Sequence, residues 1–198
     1  MSNHQSLTAN PAPLGLCGFA LTTWLLSLIN NGTFGAENVG LVLAMGLAFG
    51  GLAQMLAGLF EFSKGNTFGF TAFTSYGAFW ISFALFKIFF AEGVSAAFVG
   101  WYLIAWGTFT LMMFIGTLAK ARALQAIFLA LTITFYLFAA GDFTHNTTIT
   151  NIGGNFGLLT ALLAFYLAAA DIINDASAVK FYQWVTQNNL MKTKGEFI

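Results

Sequence analysis

Apolar residues dominate six stretches of this chain, and short polar segments separate them. An α-helix rises about 1.5 Å per residue, so about 20 apolar residues cross the roughly 30 Å hydrocarbon core of a bilayer. The stretches of that length are residues 14–29, 39–62, 67–90, 96–118, 121–140 and 156–173. The pattern therefore predicts an all-α integral membrane protein with six transmembrane helices.

The composition supports the same class of protein. Hydrophobic residues make up 58% of the chain and charged residues only 7%, whereas a soluble domain carries roughly 25% charged residues. The apolar runs lack the alternating pattern of barrel strands, which favours helices over a β-barrel. The formal net charge is zero, which excludes nucleic acid as a partner.

Residues with catalytic or metal-binding chemistry are scarce. The one cysteine, Cys17, lies in an apolar run, and the two histidines are His4 in the N-terminal tail and His145 in a polar segment. These residues form neither a metal site nor a nucleophile–base pair. We therefore predict no metal, no cofactor and no enzymatic activity.

The distribution of positive charge predicts the orientation in the membrane. If the N-terminus is cytoplasmic, six of the seven basic residues face the cytoplasm: Lys64, Lys120, Arg122, Lys180, Lys192 and Lys194. Lys87 is then the one basic residue near the outer face. Cytoplasmic loops carry an excess of Lys and Arg. Both termini are therefore predicted to be cytoplasmic, in a multi-pass protein of the inner (plasma) membrane.

The same pattern divides the chain into three parts. Residues 1–13 form a cytoplasmic N-terminal tail, residues 14–174 form the transmembrane domain, and residues 175–198 form a cytoplasmic, amphipathic C-terminal tail. Within the domain, the polar stretch 141–155 is predicted to be a long outer loop. The aromatic and lysine residues of the C-terminal tail are typical of a segment that lies on membrane lipid.

Residues 10–16 (NPAPLGL) join the N-terminal tail to the first helix. Asn10 can cap that helix with its side-chain oxygen, and Pro11 and Pro13 fit the first turn, where backbone N–H groups lack internal partners. A helix N-terminus carries partial positive charge and free N–H donors, which suit a carboxylate. The stretch is either only a well-formed helix start or also part of a carboxylate-binding site.

On the second helix, Gly46, Gly50, Gln54 and Gly58 recur every four residues and therefore share one face. Small residues at this spacing are typical of close helix packing. The amide of Gln54 needs a polar partner within the membrane, which water or the carboxylate of a solute can supply. Packing and solute binding both remain open for this face.

Asn66 is predicted to cap the third helix, whose hydroxyl residues fall near one stripe: Thr67, Thr71, Thr74, Ser75 and Ser82. Isolated hydroxyls can bond to the backbone one turn back, but a stripe of them indicates a pore wall or a buried polar seam. Gln125 and Thr132 are polar positions on the fifth helix.

Charged residues are absent from the centres of all six predicted helices. Ion pumps and proton relays usually keep a charge at that depth, so the pathway suits a small neutral or weakly acidic solute. Glu61 and Lys64 lie three residues apart at the end of the second helix. They either pair at the interface, or Glu61 has a proton-sensing or gating role.

Two blocks of sequence resemble a known family. Residues 10–16 (NPAPLGL) resemble the signature of the acetate uptake transporters, the succinate–acetate permeases, and residues 65–80 (GNTFGFTAFTSYGAFW) are similar to the third-helix segment of that family. Residues 102–125, which include Trp106 and Ala121-Arg122, continue the resemblance. It covers about residues 10–174.

The resemblance implies a ring-shaped homohexamer with one solute pathway per protomer, and permeation of acetate, in some members succinate, favoured by protons. It also implies a constriction made by Phe19, Tyr76 and Leu131, with Asn10 at the cytoplasmic mouth. Two alternatives remain: a channel for a small neutral solute such as urea or ammonia, and a non-transporting membrane sensor or assembly protein.

Overall fold

The computed structural model describes residues 9–176. Within this range, six helices are long and apolar enough to cross a membrane: α1 (Ala12–Asn30), α2 (Ala36–Ser63), α3 (Thr67–Phe90), α4 (Ala96–Thr117), α5 (Arg122–Thr144) and α6 (Thr147–Ala176). Each predicted segment coincides with one of these helices, and the described residues contain no strand. The predicted all-α, six-helix membrane fold is therefore confirmed.

Most of both predicted tails lies outside the described residues, namely 1–8 and 177–198. The predicted surface-bound C-terminal segment and its three lysines are in that part of the chain. The described helices begin at Ala12, two residues before the predicted start of the transmembrane domain, and the last of them reaches Ala176, where the described residues stop.

The six helices form a ring in sequence order. Helix α1 packs against α6 and α2, α2 packs against α3, and α4, α5 and α6 pack in succession. The backbones of α3 and α4 come close at few positions, and aromatic side chains such as Phe79 and Trp106 bridge the two helices. Consecutive helices run in opposite directions because the loops are short. The start of α1 therefore lies at one end of the bundle, called here the N-terminal end, together with the turns α2–α3 and α4–α5.

Glycines allow α2 to approach its neighbours closely. A Cβ atom at Gly50 would overlap Thr22 of α1, and one at Gly58 would overlap Thr74 of α3. Helix α2 also contains a π-helical segment, Ala48–Ala53, where the extra residue in the turn rotates the following side chains around the axis. The packing interpretation of the glycine face therefore fits the contacts that these glycines make.

The predicted long outer loop at residues 141–155 is wrong. Helix α5 continues to Thr144 and α6 begins at Thr147, so the connection is only two residues long. His145 ends α5 in the left-handed conformation with φ of 51°. Asn146 then caps the next helix, because its Oδ1 atom accepts a hydrogen bond of 2.9 Å from the Thr148 N–H.

Close packing explains why this polar stretch is helical. Gly154 lies against the backbone of Asn30 and Asn31, and Gly157 lies against Ser27, all at the end of α1 or just after it. The glycines let the first turns of α6 dock against α1, and tertiary contacts of this kind override weak local preference. The prediction from residue polarity alone therefore overestimated the length of this loop.

Candidate transport pathway

A cavity of about 860 Å³ opens between the helices at the end of the bundle opposite to the N-terminal end. Residues of α1, α3, α4 and α5 supply most of its walls, and aromatic side chains such as Phe79, Phe83 and Phe135 dominate the lining. On each of α1, α3 and α5, one lining residue lies nearest to the N-terminal end of the bundle. These residues are Phe19 on α1, Tyr76 on α3 and Leu131 on α5. The three predicted constriction residues therefore lie together at the deep end of the cavity.

All three side chains at this deep end are almost fully buried. The exposed fraction is 7% for Phe19, 3% for Tyr76 and 5% for Leu131. The ring centroids of Phe19 and Tyr76 are 5.9 Å apart. Beyond them towards the N-terminal end, Phe128 packs against Tyr76 at 6.1 Å and against Phe68 at 5.3 Å. Aromatic packing therefore closes the cavity on its inner side.

The orientation of Tyr76 is fixed by α4. Its hydroxyl lies 2.9 Å from Oγ1 of Thr110, and its ring packs against Trp106 and Phe109 with centroid distances of 6.1 and 5.6 Å. Sequence reasoning missed Thr110 as a positioning residue. A buried tyrosine needs a hydrogen-bond partner, but the sequence does not indicate which helix supplies it.

Polar groups on the cavity wall come mainly from positions that the sequence did not single out. Thr23, Ser27 and Thr134 line the cavity. The Oγ1 atom of Thr23 and the indole N–H of Trp80 are buried and have no hydrogen-bond partner among the described residues. Both atoms are enclosed by neighbouring side chains, so a hydrogen bond to a solute or to water in the cavity requires one of those side chains to move. Thr23 lies one helical turn after Phe19, which is the signal that could have identified it.

Several predicted pore-lining residues make contacts outside this cavity. Thr74 faces Gly58, Thr132 donates a 2.7 Å hydrogen bond to the Phe128 carbonyl, and Gln125 donates to the Lys120 carbonyl at 3.0 Å. The cavity lining likewise does not include Thr67, Thr71 or Ser75. A role of these residues in the pathway stays a prediction.

Gln54 is buried in the interface between α1 and α2. Its exposed fraction is 1%, and its side chain lies near Gly18. Its Oε1 atom has no hydrogen-bond partner among the described residues. The amide oxygen is therefore an unpaired polar atom in this interface, and Gln54 does not belong to the lining of the cavity.

Four predicted residues meet at the N-terminal end of the bundle. Glu61 is 2% exposed and accepts a 2.7 Å hydrogen bond from the side-chain amide of Asn66. Lys64 instead donates to Oδ1 of Asn10 at 3.3 Å, an atom that also accepts from the N–H of Ala12. The described residues show no ion pair between Glu61 and Lys64, so the carboxylate is held by an amide.

A second carboxylate lies near this cluster. Asp171, near the end of α6, is within electrostatic range of Glu61 and Lys64. In the range 9–176, no group of three or more His, Cys, Asp or Glu side chains is placed to hold a metal ion.

These features define a class of protein: a six-span membrane protein whose helices surround a cavity that aromatic and apolar side chains close part of the way across. The sequence profile of the GPR1/FUN34/yaaH family matches residues 1–186, and the chain belongs to that family. This finding agrees with the resemblance of the two sequence blocks.

Characterised relatives and a solved structure cover most of the chain. The succinate-acetate/proton symporter SatP of Escherichia coli is 48% identical over an alignment of 171 positions, which covers 84% of this chain and 90% of that protein. Acetate permease A of Emericella nidulans is 38% identical over an alignment of 212 positions, gaps included, which covers 95% of this chain and 71% of that protein. The structure of the bacterial acetate channel SatP matches with a TM-score of 0.84 at 46% identity, and the match covers 88% of this chain and 98% of that one.

Proposed function

We propose that this protein transports acetate and related small carboxylates, succinate among them, across the inner (plasma) membrane. One observation carries the proposal. Phe19, Tyr76 and Leu131, on three different helices, meet at the closed end of a cavity in a chain that is 46% identical to a protein whose structure is described as an acetate channel. The fold and the family both fit transport, and the named relatives are transporters rather than enzymes.

The constriction acts on the charge and the size of the solute. An ionised carboxylate loses its hydration shell when it passes between Phe19, Tyr76 and Leu131, which costs much more free energy than the passage of the neutral acid. A small acid is therefore favoured over a large one, and protonation favours permeation. The unpaired Thr23 hydroxyl and Trp80 indole N–H lie beside this narrow point, and they offset part of the lost hydration once the enclosing side chains move aside.

Glu61 has a proton-sensing or gating role at the N-terminal mouth. Its burial and its hydrogen bond to Asn66 support this role, because a carboxylate held by a neutral amide can gain or lose a proton without breaking an ion pair. Asn10 and Asn66 present amide groups at the same mouth and bind the departing or entering carboxylate. The relative of 48% identity is named a proton symporter, which supports coupling to protons.

The N-terminal end of the bundle faces the cytoplasm. Lys64, Lys120 and Arg122 lie at that end, and Lys87 lies at the other end, which is the asymmetry expected for cytoplasmic loops. The protomers assemble into a ring-shaped homohexamer. Large apolar side chains exposed on α4, such as Trp101 and Ile115, supply surface that faces lipid or a neighbouring protomer.

The test is uptake of radiolabelled acetate into proteoliposomes, with and without an inward proton gradient. We expect saturable uptake that the gradient enhances and that small carboxylates compete for. Leu131→Ala should admit butyrate, because it removes a side chain at the constriction. The matched control is Leu129→Ala on the same helix, where the side chain is 44% exposed and lies outside the cavity lining.

A neutral-solute channel is the second candidate, and one finding favours it. Ammonia transport outward protein 2 of Saccharomyces cerevisiae is 38% identical over an alignment of 175 positions, which covers 83% of this chain and 61% of that protein. The same proteoliposomes distinguish the two candidates. Folded protein that takes up ammonia but gives no acetate uptake above empty liposomes would replace the carboxylate proposal with the neutral-solute one.

A further inference from the structure

We propose that Lys87 recruits the carboxylate of the solute at the open mouth of the cavity, and that Asp142, on the facing helix α5, weakens this attraction. The inference rests on the proposed transport of carboxylates and adds the residue that captures the anion before it reaches the constriction. It concerns a site at the opposite end of the bundle from Glu61 and Asn10.

Lys87 and Asp142 are the charged residues of the cavity wall. Every other lining residue is uncharged, and most are aromatic or aliphatic. The two groups lie within electrostatic range of each other, but the described residues show no ion pair between them. An anion that enters the cavity therefore meets one positive and one negative group on otherwise neutral walls.

The position of Lys87 on α3 places it ahead of the constriction. Lys87 and Tyr76 both line the cavity, and their separation of eleven positions in the sequence corresponds to about 16 Å of helix rise, roughly three turns. The helix ends in a π-helical segment, Phe86–Phe90, of a kind often found at functional sites. A solute that enters from the open end therefore passes Lys87 first.

The ammonium group of Lys87 is available for a ligand. Its Nζ atom lies 5.9 Å from the ring centroid of Phe83 and 5.8 Å from that of Phe86, and the described residues give it no hydrogen bond. A cation over aromatic rings is held in place electrostatically while its N–H donors stay free. The aromatic rings therefore orient the charge at the mouth without neutralising it.

A charge at the rim of an apolar cavity acts over a longer distance than the same charge in bulk water. Walls of low dielectric constant focus its field and raise the local concentration of anions. This attraction acts on the anion during capture and not on the neutral acid in the constriction. Lys87 should therefore affect the concentration dependence of uptake more than its maximal rate.

The experiment measures initial acetate uptake against concentration, in membrane vesicles whose Lys87 end faces the medium. For Lys87→Met we expect the KM to rise about three- to tenfold with little change in maximal rate. The difference should shrink in salt, because the Debye length falls from about 10 Å at 0.1 M to about 3 Å at 1 M. Asp142→Asn should lower the KM, and Lys87→Arg should keep it near the wild-type value.

Two controls separate recruitment from a structural effect. Lys120→Met removes an exposed lysine at the N-terminal end and should leave the KM unchanged. Acetamide, the neutral isostere of acetate, should compete for uptake equally well against wild type and Lys87→Met. A general loss of folding would instead lower the maximal rate for every solute.

Each remaining outcome overturns the inference. If wild type takes up acetate and Lys87→Met has the same KM, or a raised KM that does not respond to salt, Lys87 does not recruit the anion, and the proposed transport function stands. If folded wild-type protein gives no acetate uptake at all, the proposed function fails and the recruitment site fails with it.

Discussion

The hydroxyl of Tyr76 lies 2.9 Å from Oγ1 of Thr110, and Thr110 donates its own proton to the Trp106 carbonyl at 2.7 Å. A threonine hydroxyl has one proton to donate, so Tyr76 is the donor in this pair. The hydrogen bond ties a side chain of the constriction on α3 to the neighbouring helix α4. Since large aromatic side chains keep the backbones of α3 and α4 apart, this bond adds a specific polar link to an interface made largely by rings.

Thr110→Val should therefore destabilise the protein and loosen the constriction. The buried Tyr76 hydroxyl loses its acceptor, which costs about 1–3 kcal/mol in the free energy of unfolding. The Tyr76→Phe and Thr110→Val double variant should regain part of this loss, because no unpaired hydroxyl remains. Thermal unfolding in detergent measures the stability, and the ratio of butyrate to acetate uptake measures selectivity.

Thr108→Val is the matched control for this pair. Thr108 is on the same helix and also bonds to a carbonyl one turn back, but it is exposed. Its hydroxyl also lies near that of Tyr136, at 3.4 Å, a longer contact than the 2.9 Å between Tyr76 and Thr110. Because the site is exposed, we expect Thr108→Val to change the free energy of unfolding by less than about 0.5 kcal/mol. Additive effects of Thr110→Val and Tyr76→Phe would contradict the coupling.

Gly50→Ala tests whether the glycine face of α2 serves close packing. The added methyl group would overlap Thr22 of α1, and an overpacked core position typically loses about 1–3 kcal/mol of stability. Gly40→Ala is the matched change, since a Cβ atom there meets nothing within 4 Å. At that helical position alanine should stabilise by up to about 1 kcal/mol.

Thermal unfolding of both glycine variants in detergent gives the comparison. If the glycine face serves close packing, Gly50→Ala should lower the melting temperature and Gly40→Ala, in the same helix, should raise it. Equal melting temperatures for Gly50→Ala and Gly40→Ala would show that α1 can move away from α2 without cost.

The sequence predicts the six helices well because the physics of the bilayer is simple. A helix that crosses hydrocarbon must be long and almost free of charge, so a segment such as α4 is recognisable from composition alone. The connection at His145 was mispredicted because its helical flanks depend on docking between glycines of α6 and the end of α1. Such docking depends on residues more than a hundred positions apart, which periodicity within one segment cannot reveal.

The site was predictable only in part, for a related reason. Tyr76 lies beside the stripe of hydroxyl residues on α3, but the stripe itself does not distinguish a cavity wall from a helix interface. Thr74 packs against Gly58, whereas Thr23, one of two adjacent threonines in an apolar helix, lines the cavity. Whether a hydroxyl faces a neighbouring helix or an open space depends on helix rotation, which the π-helical segment in α2 also changes.

His145→Gly should stabilise the short connection between α5 and α6. His145 adopts φ of 51°, a conformation that costs a residue with a Cβ atom roughly 1–2 kcal/mol. Glycine avoids this cost but loses more entropy on folding, so we expect a net gain of about 0.5–1 kcal/mol. His145→Val should lower the melting temperature in detergent, because a β-branched residue tolerates this conformation poorly. A melting temperature that rises with valine would contradict the role of backbone strain.

Glu61→Gln removes the charge at the N-terminal mouth and keeps a side chain of similar shape. Glutamine can still accept the hydrogen bond from Asn66 that Glu61 accepts at 2.7 Å, so the fold should change little. If Glu61 senses or carries the proton, acetate uptake should depend several-fold less on the inward proton gradient. The measurement is the ratio of initial uptake rates with and without the gradient.

Glu92→Gln is the control, since Glu92 is an exposed acid in the loop between α3 and α4, at the other end of the bundle. The ratio of initial uptake rates with and without the gradient should be the same for Glu92→Gln as for wild type. A purely structural role of Glu61 predicts a lower melting temperature for Glu61→Gln with an unchanged ratio. That result would assign the coupling to protonation of the solute itself at the constriction, where the neutral acid passes Phe19, Tyr76 and Leu131 more easily than its anion.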